Sequence, residues 1–169
     1  MPSSSVYASR FGGLHRAYEL IGWSDRRDYS FIESNRHLRR KHKSLIDTIV
    51  GDLRTKGADV EVDNDSDLLT INHEYTASLL LSRCQETTAR SQRWRLRFDT
   101  RLAPDITIAA RLNPGNESVK DYYLFPRIDL LWKQLNLAPQ NGVLLDLYRF
   151  DTLNVFLNLA ERISLEKVA

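Results

Sequence analysis

Two runs of basic side chains could meet an anion. The first is Arg36-His37-Leu38-Arg39-Arg40-Lys41-His42-Lys43, with five fixed positive charges and no acid. It falls in the first half of a long helical pattern, where the helix dipole disfavours cations, so local stability does not account for it. Arg36, Arg40 and Lys43 share one helix face by their spacing, and Arg39 with Lys43 broadens it. Such a face could contact a phosphate backbone in a salt-sensitive, sequence-independent way. The alternative is a solvated helix face. The second run is Arg93-Trp94-Arg95-Leu96-Arg97-Phe98. Strand side chains alternate, so Trp94, Leu96 and Phe98 are expected in the core and the three arginines together on the other face. Like charges in a row repel unless neighbouring acids or an outside anion meet them. Guanidinium groups suit phosphate, and Glu74 or Asp99 are the alternative partners.

The acidic side chains cluster elsewhere. Asp59, Glu61 and Asp63 alternate, and Asp65, Asp67, His73 and Glu74 follow. Carboxylates converging on one strand face could hold Mg²⁺, while the alternative is a solvent-facing strand and turn. His15, His37, His42 and His73 show no metal-ligand spacing. There is no Gly-rich phosphate loop and no G-x-S-x-G motif. Cys84 sits at a strand end, where packing is the expected role.

These side chains must be positioned by a chain of 169 residues, 42% hydrophobic and 27% charged, enough for the core of one domain. The net charge is +2, so a nucleic-acid partner is argued from where the charge lies and not from its sum. A single cysteine excludes an internal disulfide and fits a reducing compartment. No apolar run reaches the roughly 20 residues of a membrane helix. The first residues lack a signal-peptide layout and read as a flexible tail, 1–13, ahead of one domain, 14–169. The expectation is a cytoplasmic protein with no membrane partner.

Leu14, Ala17, Tyr18 and Ile21 suggest a short helix closed by Gly22, followed by a turn at Ser24-Asp25. Leu38, Leu45, Ile46, Ile49, Val50 and Leu53 recur at helical spacing and predict a helix over 34–56, capped by Ser34 or Asn35 and ended by Gly57. Strands are predicted at 59–63, from 68 to 71, at 75–83, 93–98, 106–112 and 121–125, with a polar loop over 85–91. Ile128, Leu131, Trp132 and Leu135 predict a further helix. Residues 143–150 fit either a strand or a buried helix. Asp151 caps a last helix carrying Leu153, Phe156, Leu157, Ala160 and Ile163. The fold class is α+β: a central antiparallel or mixed sheet of about five or six strands with N- and C-terminal helices packed on it.

The order of a helix and then strands reading Asp67-Leu-Leu-Thr-Ile71, Ala77-Ser-Leu-Leu-Leu-Ser-Arg83, Arg93-Trp-Arg-Leu-Arg-Phe98, Pro104-Asp-Ile-Thr-Ile108 and Asp121-Tyr-Tyr-Leu-Phe-Pro126 resembles the restriction-endonuclease-like, or PD-(D/E)XK, fold over roughly residues 34–126. Asp67 matches the Asp that opens the second core strand in that family. The acid and lysine of its third strand fall on Ser78 and Leu80, which can neither ligate a metal as a carboxylate nor polarise a water as an ammonium. Three readings stay open: a different fold, a degenerate member that binds without cutting, or acids displaced to Asp99 or Asp105.

The resulting expectation is a non-catalytic, DNA-binding accessory protein of bacterial type, in recombination, plasmid or mobile-element biology. Its contacts would come from Arg36, Arg39, Arg40, Lys41 and Lys43 and from Arg93, Arg95 and Arg97, with Asp67 vestigial and no cofactor. The rival enzyme reading is a Mg²⁺-dependent nuclease with a displaced acid. A third is a protein-interaction module using Trp132, Tyr148 and Phe150. A protein partner and a homodimer stay open.

Overall fold

The structure, a computed structural model, describes residues 4–12, 16–17, 20, 30–99 and 101–162. The chain divides into two compact units, 1–37 and 38–169. In the first unit, Ser4–Phe11 is a helix, α1, where the sequence suggests a tail. No Gly or Pro interrupts that stretch, and Gly12, at φ +74°, ends it in the left-handed conformation. The helix expected at 14–21 and the turn at Ser24-Asp25 lie largely outside the described residues.

Helix α2, Ser30–Thr55, begins in the first unit and continues into the second. It starts before Ser34 and Asn35, so neither caps it. Its apolar stripe of Ile46, Ile49, Val50 and Leu53 is buried. Gly57, at φ +80°, terminates it: the Ala58 N–H reaches the Leu53 carbonyl at 3.1 Å and the Gly57 N–H the Arg54 carbonyl at 2.9 Å. That pair of bonds is a Schellman closure.

The remaining elements of the second unit are β1 (Val60–Val62), β2 (Leu69–Ile71), β3 (Tyr75–Ser82), β4 (Cys84–Glu86), β5 (Gln92–Arg97), β6 (Ile106–Leu112), β7 (Val119–Pro126), a 3₁₀ turn at Arg127–Asp129, β8 (Gln134–Leu137), α3 (Val143–Asp146), β9 (Arg149–Phe150) and α4 (Asn154–Leu159). Six strands form a mixed sheet in the order β1-β2-β3-β6-β7-β9, with only β3 and β6 parallel. The α+β class with a mixed sheet is as the sequence predicts. A parallel pair needs a long crossover, and here it carries the β4–β5 hairpin.

That hairpin joins β8 in a second sheet, β4-β5-β8. The larger sheet is therefore covered differently on its two faces. Ile46, Ile49, Val50 and Leu53 of α2, Phe156 of α4 and Ala160 at its end cover one face, over Ala77, Leu79, Ile108 and Ala110. Trp94, Leu96 and Leu137 of the smaller sheet cover the other, over Ala109, Tyr123 and Phe125. Large side chains of this kind contribute roughly 1.5–3 kcal/mol each when fully buried.

Three assignments are corrected. Residues 85 and 86, expected in a loop over 85–91, belong to β4, because the Thr87–Ser91 turn closes a hairpin, with the Thr87 N–H on the Ser91 carbonyl at 2.9 Å. The helix expected around 128–135 is absent: Leu135 and Leu137 alternate with Gln134 and Asn136 in β8, and Ile128 and Leu131 are solvent-exposed. Asp151 does not cap α4, whose N-cap position is Leu153.

Candidate nucleic-acid interface

The arginine face is made by the packing of its opposite side. Trp94 and Leu96 are wholly buried against the larger sheet, and the Trp94 indole N–H donates to the Leu112 carbonyl at 2.7 Å. Alternation then forces Arg93, Arg95 and Arg97 outward, and all three are exposed, while Phe98 is half-buried. Their neighbours follow from register. Arg93 stands opposite Gln85 on β4, Arg95 opposite Asn136 and Arg97 opposite Gln134 on β8. These are amides, able to donate and accept but carrying no charge.

Arg83, between β3 and β4, adds a fourth guanidinium. It lines a recess of about 310 Å³ with Leu38 of α2, Leu81, Gln85, Arg95 and Arg97. Neither acid considered from the sequence neutralises this face. Glu74 accepts from Arg162 at 2.7 Å. Asp99 accepts from the Arg101 N–H at 2.9 Å and makes no ion pair with Arg97. Among the described residues, none of Arg83, Arg93, Arg95 and Arg97 forms a salt bridge. Alternate residues on a strand lie about 7 Å apart. At that distance two charges repel by roughly 0.6 kcal/mol in water and several times more at a protein boundary.

The basic helix is less uniform than its sequence. Arg39, Arg40 and Lys43 are exposed. Arg39 and Lys43 line a second recess that also holds Asp47 and Asp67. Lys41 is half-buried and donates to the Glu117 carbonyl, fastening the β6–β7 turn. Arg36 is exposed on α2 within the first unit. The elements meet through Leu38, in the arginine recess, and His42, which lines a cleft with Arg97.

That cleft, about 350 Å³, lies beside an unpaired stretch of β3. Strand β2 ends opposite Ala77, so Leu79 has no ladder partner on that side. The His42 Nε2–H supplies one, 3.0 Å from the Leu79 carbonyl, and Nδ1 lies 3.7 Å from Asp67 Oδ2. Ser78 and Leu80 line the cleft with Asp99, Thr107, Arg127 and Trp132. Asp105 is held elsewhere: its Oδ2 accepts from the Thr76 N–H and hydroxyl, both at 2.8 Å, and these bonds lower its pKa.

The acidic strand is occupied locally. Asp59 lies 3.1 Å from His73, and Asp63 accepts from the Ser66 hydroxyl and the Asp65 N–H, which lower its pKa. Among the described residues, no group of three or more His, Cys, Asp and Glu is placed to hold a metal ion. Cys84 is half-buried, and its thiol pKa is raised first by burial and then by Glu86. His15 lies outside the described residues. No described helix is long and apolar enough to cross a membrane.

Of the interaction-module residues, Trp132 is exposed, whereas Tyr148 packs on Phe125 and Phe150 joins the core. The residues missed from sequence are Arg83, Gln85, Gln134, Asn136 and Arg127. The alternation across 134–137 was the available signal for two of them. Comparison with protein-family models, with curated proteins and with solved structures finds no match to this chain.

Proposed function

We propose that the protein is a non-catalytic nucleic-acid-binding protein whose principal contact surface is the arginine face of β5. The observation that carries this reading is the row Arg93, Arg95 and Arg97, flanked by Gln85, Asn136 and Gln134 and, among the described residues, in no salt bridge. A row of mutually repelling guanidiniums is relieved by a polyanion, and amides add hydrogen bonds to phosphate or base edges. Arg39, Arg40 and Lys43 extend the positive surface.

DNA is the proposed nucleic acid. The succession of α2, the antiparallel β1-β2-β3 meander and a crossover to β6, parallel to β3, supports the nuclease-like resemblance, and with it the reading of a bacterial DNA-processing role such as recombination. Ser78 and Leu80 on the cleft wall support binding without cleavage.

The test is a binding titration against labelled duplex DNA at two salt concentrations, with and without Mg²⁺. The reading predicts binding that weakens steeply with salt and DNA that stays intact. Mg²⁺-dependent cleavage abolished by Asp67→Ala would replace it with the nuclease reading.

A further inference from the structure

The cleft beside the arginine face differs from it in chemistry. Arg97 lines both the recess on the arginine face and the cleft, so one side chain joins the two. The cleft adds a second guanidinium, Arg127, the hydroxyls of Ser78 and Thr107, and the indole of Trp132, which is 43% exposed. Two guanidiniums stand against one carboxylate, Asp99, so the lining retains a positive balance.

Size decides what can enter. A volume of 350 Å³ corresponds to a box about 7 Å on an edge, too small for a duplex, whose major groove alone is about 12 Å wide. A duplex is excluded. The volume lies at the lower end of the about 300–1,000 Å³ of small-ligand sites, which suits a single nucleotide. Aromatic side chains stack on exposed bases, and guanidiniums bind the phosphates beside them.

We propose that this cleft takes an unpaired nucleotide at the end of a DNA strand whose duplex part lies on the arginine face. The base stacks against Trp132, and its phosphate lies between Arg97 and Arg127. Asp99 can accept a hydrogen bond from an exocyclic amine, such as N4 of cytosine. This inference rests on the DNA-binding reading and adds a preference for strand ends.

The experiment compares a blunt duplex, the same duplex with a short single-stranded overhang, and free dCMP, by competition anisotropy on the full chain at one salt concentration. The overhang should tighten binding on the order of tenfold, the effect of one stacked base. Trp132→Ala and Arg127→Ala should each bring the overhang and blunt affinities together, with unchanged circular dichroism. Equal affinity for overhang and blunt DNA in the parent protein would overturn the inference and leave DNA binding standing. Failure to bind either DNA would overturn both. Free dCMP binding as tightly as the overhang would assign the cleft to a small nucleotide and overturn the strand-end proposal.

Discussion

Arg111 and Asp121 face each other across β6 and β7 and are joined by two parallel hydrogen bonds, Nε to Oδ1 at 2.6 Å and Nη2 to Oδ2 at 2.5 Å. Arg111 is 0% exposed. Its guanidinium lies 4.6 Å from the centre of the Trp94 ring and 5.0 Å from that of Tyr123, and Nη1 donates to the Ala138 carbonyl. The contrast with β5 is informative. The buried arginine has a carboxylate, two rings and a carbonyl, while the exposed arginines stand opposite amides on the neighbouring strands. A protein interior requires that neutralisation. An exposed surface does not, and among the described residues the row on β5 stands without a salt bridge.

Removing one member of the buried pair should be costly. Arg111→Ala leaves Asp121 uncompensated and should destabilise the protein by about 3–5 kcal/mol. Arg111→Met combined with Asp121→Leu should recover much of that loss. Urea unfolding measures both. A loss below about 1 kcal/mol in the single variant would contradict the role assigned to the pair.

Gly57 closes α2 at φ +80°, and an added Cβ would meet nothing nearer than 3.8 Å. The cost of Gly57→Ala is therefore conformational and not steric, about 1–2 kcal/mol. Thermal unfolding should show a lowered midpoint for this variant, and an unchanged midpoint would rule out the closure as a stabilising feature.

Asp105 gives a pH test. Its bonds to Thr76 hold its folded pKa below the ordinary 3.8. A lowered folded pKa means that the carboxylate stabilises the fold above the unfolded value and loses that contribution as pH falls through the folded value. The stability difference between the parent and Asp105→Ala should be largest near neutral pH and shrink as the pH drops below 3.8. A difference independent of pH would show that ionisation of Asp105 plays no part.

Much of this arrangement is legible in the sequence. The alternation of Arg93 to Phe98 announces both faces of β5, and Ile46, Ile49, Val50 and Leu53 announce the buried side of α2. The smaller sheet is not legible, for a physical reason. Cys84, Gln85 and Glu86 have little strand character of their own and become β4 only by pairing with β5. Ile128, Leu131, Trp132 and Leu135 imitate helical spacing, yet Ile128 lies in a single 3₁₀ turn and Leu135 in β8, which tertiary pairing with β5 makes a strand. The amide neighbours of the arginines, and hence the absence of acid beside them, depend on that pairing. The uneven use of the basic helix, with Lys41 on a carbonyl and Arg39 beside Asp67, likewise depends on long-range contacts.

The most direct measurement is the slope of log affinity for duplex DNA against log salt, in the parent protein and in Arg93→Gln/Arg95→Gln/Arg97→Gln. Each phosphate contact contributes about 0.9 to that slope. The triple variant should bind more weakly, with a slope shallower by about 2 to 3, and should fold as well as the parent because all three side chains are exposed. An unchanged affinity and slope in the triple variant would contradict the assignment of the β5 face as the nucleic-acid interface.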